Sequence, residues 1–259
     1  MSCLKKLLLS IFVFVFLAVA GFFVWIQDKY IVPILMYHHV SSSDVPGMNV
    51  VNPGSFRRQM SYLKNHGYQV ISFDALVSAI KNQKPVEHKM VVITFDDGYV
   101  NNYTNAYPIL KEFNYPAIFF MISDLVGKPG YMTWEQLGEI SRNGLSIGSH
   151  TRWHAYLPDA SEETQIDEIE GSKRILEQGL GGKIHYFSYP SGGFTENVKK
   201  LVARAGYKAA CTTNRGHGRH NSDIYELKRI RINDDDDGLS FWAKLSGYYN
   251  LFRKVKNSY

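Results

Sequence analysis

The chain has almost no cysteine: of 259 residues only Cys3 and Cys211 carry a thiol. A disulfide framework is thereby excluded, and Cys211 reads as a small buried residue. The body of the chain also lacks a lysine–arginine run. Its net charge of +5 is spread out, with Arg215, Arg219, Lys228, Arg229 and Arg231 thickening only the late part. Without a basic stripe interleaved with aromatics there is no nucleic-acid partner to expect; a mild basic excess facing a membrane or an anionic envelope remains. No internal repeat and no long linker divides the chain. At 20% charged and 45% hydrophobic residues, disorder is excluded as well, and the length suits one large α/β domain.

Charge is missing altogether from "LLLSIFVFVFLAVAGFFVWI", the twenty residues 7–26. A helix rising 1.5 Å per residue would span roughly 30 Å there, enough for a bilayer core. A cleavable signal has a shorter apolar region, about 7–15 residues. "AVA" at 18–20 resembles a cleavage site, yet "GFFVWI" continues the run beyond it. Lys5 and Lys6 on the leading side keep that end in the cytoplasm. The expected organisation is a cytoplasmic tip, membrane anchor and tether over 1–30, with one domain over 31–259 that is periplasmic or extracellular. In that arrangement the two cysteines fall on opposite sides of the membrane. Secretion after cleavage near Ala20 is the alternative. Trp25 suits the membrane interface.

After the tether, strand-like and helix-like segments alternate. The strand-like runs are 31–38, 68–72, 90–95, 116–122, 145–149, 184–189, 207–212 and 227–232; helical stretches include 55–67, 103–114, 133–144, 161–179 and 195–206. Several helical stretches open on Ser or Thr and close on Gly, as capped helices do. The pattern predicts a distorted, parallel (β/α) barrel of about seven strands preceded by one transmembrane helix. In such barrels, reactive residues lie at the C-terminal ends of strands.

Polar residues do gather there. "DDG" (96–98) ends the third strand-like run, "SHTRWH" (149–154) the fifth, His38 and His39 the first, and "SYPSGG" (188–193) the sixth. Paired carboxylates at the end of an apolar strand are costly unless positive charge answers them. His150 and His154 stand four apart, which on a helical turn puts both imidazoles on one face. Two histidines and one carboxylate make the three-ligand set of a catalytic zinc with an open position, and either Asp96 or Asp97 can supply the carboxylate. The other is left to take a proton from water acidified by the cation. His38, with an ordinary pKa near 6.5, suits the acid on the opposite side. Zinc fits these ligands first; cobalt, nickel and iron fit them too.

"TFDDGY" (94–99) and "SHTRWH" (149–154), with "PAIFF" (116–120) between them, resemble the motifs of the polysaccharide deacetylases, the NodB-homology carbohydrate esterases of family 4. The resemblance covers most of residues 31–235. It implies Asp96 as the base and Asp97, His150 and His154 as ligands of a divalent metal. The chain departs from the family in two places. "FSYPSGG" (187–193) has Ser188 where the third motif usually carries a base-orienting arginine, so Arg229 becomes the candidate for that task. "LKRIRIND" (227–234) ends on Asn233 instead of a histidine. Deacetylases of poly-β-1,6-N-acetylglucosamine share both departures and carry the acid in an early Y-H-x-V motif, which "ILMYHHV" (34–40) resembles; His38 inherits the role. A backbone N–H near Ser191 is the candidate oxyanion donor.

The implied activity is metal-dependent removal of N-acetyl groups from N-acetylglucosamine residues of an extracytoplasmic polysaccharide. Peptidoglycan, chitooligosaccharide or an O-acetyl ester on the same site is the alternative substrate. A non-catalytic glycan-binding module, motivated by the missing arginine, is the alternative of another class. Trp153, Tyr189 and Trp134 are candidates to stack on sugar rings, Trp242 is assigned to packing, and His39 to structure on the opposite strand face. "NDDDDG" (233–238) lacks the ligand alternation of an EF-hand and reads as a solvated loop. "RGHGRH" (215–220) reads as a basic loop.

Overall fold

The apolar, β-branched runs form parallel strands whose two faces are buried differently, and this difference positions the site. The computed structural model describes residues 3–27, 30–43, 49–84, 86–213 and 223–250; the 215–220 loop lies outside them. Among the described residues the strands are β1 (Ile34–Tyr37), β2 (His39–Val40), β3 (Val50–Val51), β4 (Gln69–Val70), β5 (Met90–Phe95), β6 (Ile118–Met121), β7 (Ser146–Ser149), β8 (Tyr186–Ser188), β9 (Ala209–Thr212), β10 (Leu227–Lys228) and β11 (Ile230–Arg231). The main sheet runs β10-β9-β8-β7-β6-β5-β1-β11, with β4 on β5 and with β2–β3 as a separate pair. Leu227 and Lys228 pair with β9, and Ile230 and Arg231 pair with β1. The segment 227–231 is thus one broken stave that joins both ends of the sheet into a near-closed barrel. Arg229 is the residue at the break.

Side chains alternate along each strand. Ile34, Val92, Ile118, Phe120, Tyr186, Ala209, Cys211 and Leu227 form the inner cluster. Phe73, Leu76 and Val77 join it from helix α3 (Phe73–Lys81). Leu35, Tyr37, Ile93, Phe95, Phe119, Phe187 and Ala210 belong to the larger cluster beneath the outer helices. Cys211 is fully buried, and burial pushes its thiol up to about 12.

Those helices are α2 (Pro53–Asn65), α4 (Tyr107–Phe113), α5 (Trp134–Arg142), α6 (Glu162–Ile166), α7 (Ser172–Leu180), α8 (Glu196–Arg204) and α9 (Gly238–Leu245). Side-chain oxygens of Asn52, Thr133, Ser161 and Thr195 accept the first free N–H groups of α2, α5, α6 and α8. The predicted helix 161–179 is two helices joined by a π turn, Asp167–Gly171, and 103–114 likewise opens on a π turn, Asn102–Ala106. The predicted solvated loop 233–238 is exposed at Asp234, Asp235 and Asp237, but one of its acids is built into the fold. Asp236 is buried against Lys244 and accepts the Asn233 N–H at 2.6 Å, while Asp237 and Ser240 cap α9 reciprocally. Trp242 does not pack: it is half exposed on α9, whose inner face is Phe241 and Leu245.

At the N-terminus, α1 (Cys3–Gln27) is one helix. Among the described residues no helix is long and apolar enough to cross a membrane.

Candidate active site

Extending the inner alternation past the strand ends explains how the site assembles. Val92, Thr94 and Asp96 share the inward parity, as do Ile34 and His38, Tyr186 and Ser188, and Leu227 and Arg229. Apolar inside the barrel, each series turns polar at the same end. Arg229 and Asp96 meet there in a two-pronged pair, Nη1 donating to Oδ1 at 2.7 Å and Nη2 to Oδ2 at 2.6 Å. The guanidinium also donates to Ser188 Oγ (2.8 Å), Thr94 Oγ1 (3.2 Å) and the Thr212 carbonyl (3.4 Å). Both partners are almost wholly buried. Burial alone would push the Asp96 carboxyl up; Arg229, helped by His150 and His38, outweighs it and holds the group below its ordinary range. No arginine stands at position 188; the guanidinium that reaches Asp96 comes from the broken stave, and Ser188 accepts a hydrogen bond from it.

Asp97 points the other way because its backbone is left-handed, φ +71°. Gly98 follows at φ +81°, and a Cβ there would lie 2.2 Å from Met121 Cε, so any other residue would be strained and would displace Met121. His150 and His154 do not share a helical turn, as their spacing suggested. They sit on an irregular loop in which Thr151 (φ +67°) and His154 (φ +63°) are left-handed, each at a cost of about 1–2 kcal/mol. The Thr151 hydroxyl accepts the His154 N–H at 3.0 Å.

The result is one cluster, the only such group among the described residues: ligand atoms of Asp97, His150 and His154 all lie within 4.8 Å of one another. Asp97 Oδ1 is 3.4 Å from His150 Nε2 and 3.6 Å from His154 Nε2. It is buried, with no hydrogen-bond partner among the described residues. Donors about 2.0–2.1 Å from a tetrahedral ion sit roughly 3.4 Å apart, so the donor set and its orphaned oxygen fit a metal ion. The Ser188 carbonyl can only accept, so His150 Nδ1 donates to it at 2.7 Å and Nε2 is the ring nitrogen turned to the cluster; against its burial, Asp96 and Asp97 raise the His150 pKa. Despite burial, neighbouring histidines hold the Asp97 carboxyl well below its ordinary range, whereas burial pushes His154 down towards its neutral form.

His38 continues β1 towards Asp96. Its Nδ1 is buried without a partner among the described residues, and burial lowers its pKa against the opposing pull of Asp96 and Asp97. His39 takes the other face, stacked on Tyr99 at 3.6 Å with its Nδ1 2.8 Å from Asn101 Nδ2. Ser191 lies exposed in a turn at φ +54°, and Trp153 is 55% exposed beside His154.

Two expected sugar platforms are not at the surface of the site. Tyr189 has the outer parity of Phe187, is fully buried against Phe187 and Phe194, and donates its hydroxyl to the Tyr225 carbonyl at 3.0 Å. Trp134 packs on Gly179 of α7. Tyr189→Phe is therefore expected to cost about 1 kcal/mol in denaturant unfolding and leave kcat and KM unchanged; a raised KM would return Tyr189 to the substrate. Ser188 and Thr94, which seat Arg229, escaped sequence reasoning although both share the inward parity.

Comparison with known proteins agrees with this architecture. The family profile described as polysaccharide deacetylase matches residues 83–210. YxkH of Bacillus subtilis (strain 168), a protein named for polysaccharide deacetylation, is 35% identical over 212 residues, covering 82% of this chain and 75% of its own. The poly-β-1,6-N-acetyl-D-glucosamine N-deacetylase of Staphylococcus aureus (strain MRSA252) is 28% identical over 214 residues, covering 77% and 73%. The solved Streptococcus pyogenes deacetylase PplD, in complex with acetate, superposes with a TM-score of 0.77 at 31% identity, over 83% of this chain and 97% of its own.

Proposed function

The chain belongs to the polysaccharide deacetylase family, and from that premise we propose that it removes N-acetyl groups from N-acetylglucosamine residues of a poly-β-1,6-N-acetylglucosamine-like polysaccharide, using a divalent metal. The observation that carries the reading is the buried Asp96–Arg229 pair standing beside the Asp97–His150–His154 cluster. Two carboxylates adjacent in sequence are thereby given different partners and different work. The polymer is inferred from the relative in Staphylococcus aureus that is named for it and from the early Tyr37–His38 motif.

In this reading Asp97, His150 and His154 hold the ion, zinc first. When bound, the ion supplies positive charge that polarises a carbonyl and acidifies water. Asp96, ionised and fixed by Arg229, accepts the proton of the attacking water at a carboxylate oxygen. His38 gives a proton to the departing amine nitrogen, so that acetate and a free amine result. A backbone N–H at the Ser191 turn faces the developing oxyanion, and the exposed Trp153 ring offers a face for a sugar. The glycan-binding alternative drew on a missing arginine; Arg229 supplies a guanidinium to the same carboxylate.

The twenty uncharged residues 7–26 and exposed apolar side chains of α1 such as Phe12, Phe14 and Leu17 support a membrane anchor, and Lys5 and Lys6 ahead of them support placing residues 31–259 outside the cytoplasm. An anchored chain stays with membranes through an alkaline wash, and release of the full-length chain would refute the anchor.

Acetate release across linkage-defined substrates tests the function. The highest kcat/KM is expected on β-1,6-linked N-acetylglucosamine oligomers. A higher value on peptidoglycan, chitooligosaccharides or an O-acetyl ester would reassign the substrate, and no turnover of any of them by metal-loaded protein would sink the proposal.

A further inference from the structure

The loop 150–154 holds two left-handed residues that are not glycine, and contacts beyond the three ligand side chains restrain it. The restraint comes from the π turn Asp167–Gly171, between α6 and α7. Glu168 is 5% exposed there, and its Oε2 accepts two successive backbone N–H groups, of Arg152 at 2.8 Å and Trp153 at 3.0 Å. The side chain of Arg152 is clamped from both sides. Its Nε and Nη2 donate to Asp124 Oδ2 and Oδ1 at 2.9 and 2.8 Å, and its Nη1 donates to Asp167 Oδ2 at 2.6 Å.

The π turn is shaped for this. A Cβ on Gly171 would lie 2.8 Å from Arg152 Cδ and 3.1 Å from Asp167 Oδ1. On the far side, Ser123 N–H donates to the Thr151 carbonyl at 3.0 Å and Asp124 N–H to the Arg152 carbonyl at 3.2 Å. The peptides between the two histidines are therefore held from two elements that contribute no ligand atom to the cluster. Strained backbone persists only where its surroundings over-determine it, and two N–H donors converging on one oxygen are held more strongly by a carboxylate than by a neutral amide.

We propose that Glu168 is a positioning residue for the metal: by fixing the Arg152 and Trp153 peptides it sets the spacing of His150 and His154 against Asp97, and with it the affinity for the ion. This inference rests on the metal reading above. Such outer partners typically govern affinity by about 10–100-fold. Glutamine at 168 keeps the shape but loses the charge, and alanine at 171 displaces Arg152 while leaving Glu168 in place.

The test is the zinc dissociation constant of the full-length chain, measured by competition with a chromophoric chelator, in Glu168→Gln and Gly171→Ala. Glu170→Gln, an exposed neighbour on the same turn, is the control. Weakening of about 10–100-fold in the first two, with the control unchanged, is the expected result. Native affinity in Glu168→Gln and Gly171→Ala overturns the inference, and Gly171→Ala decides alone if the glutamine variant fails to fold. Absence of zinc binding in the native chain would overturn the metal reading and this inference with it.

Discussion

Arg229→Met is expected to lower the thermal midpoint by roughly 10 °C and to remove nearly all acetate release. Removing one partner of a buried ion pair strands the other, at a cost of about 3–5 kcal/mol. In a domain of this size each kcal/mol moves the midpoint by about 2–4 °C. Asp96 is buried and loses both prongs of its pair. Thr94 and Ser188, which accept from Arg229 in the native chain, cannot replace its charge. The pH dependence has a definite sign. Asp96 has a folded pKa below its unfolded value near 3.9. Its contribution is therefore present above that unfolded value and is lost as pH falls through the folded one. In the variant, burial raises the carboxyl instead. The stability gap between the two proteins should be widest at neutral pH and narrow in acid as the variant's Asp96 protonates. A gap constant from pH 7 to pH 4 would contradict the pairing. Arg229→Lys should rescue only part of the loss, because an ammonium cannot make the two-pronged contact.

Asp96→Asn is expected to cut kcat/KM on N-acetylglucosamine oligomers by about 10²–10⁴-fold, the range that positioned proton transfer contributes. The amide keeps the shape and one acceptor oxygen for Arg229 but cannot take a proton. Its destabilisation should fall short of that of Arg229→Met, since Ser188 Oγ, Thr94 Oγ1 and the Thr212 carbonyl still receive the guanidinium. Metal affinity should be close to native, because Asp96 is outside the Asp97–His150–His154 cluster. A rate per folded molecule within a few-fold of native would remove Asp96 as the base.

Much of the frame was legible in the sequence because it follows from period-two alternation. Every predicted strand run holds a strand, and the inward parity of Asp96, Ser188 and Arg229 follows from counting along each strand. The same count would have excluded Tyr189, whose parity is that of Phe187. Tertiary contacts were not legible. His150 and His154 look like a helical pair until Glu168 and Asp124, distant in sequence, hold the loop in left-handed backbone. Within the exposed acids of 233–238, nothing in the sequence singles out Asp236, which Lys244 on α9 draws into a buried pair. Helix α3 lies outside the predicted helical stretches although Ser72 caps it and Phe73, Leu76 and Val77 form its buried face. That Arg229 falls at the break in a stave depends on where the barrel closes, which is a property of the whole sheet.

The central claim is that neighbouring aspartates divide the work, Asp97 holding an ion and Asp96 moving a proton. It is tested most directly by acetate release from β-1,6-linked N-acetylglucosamine oligomers after complete chelation, then during titration with zinc, in the native chain and in Asp96→Asn. The account predicts that native activity vanishes on chelation and returns as one equivalent of metal binds, while Asp96→Asn takes up the same equivalent and stays inactive. Native activity that survives chelation, or returns equally in Asp96→Asn, would contradict it.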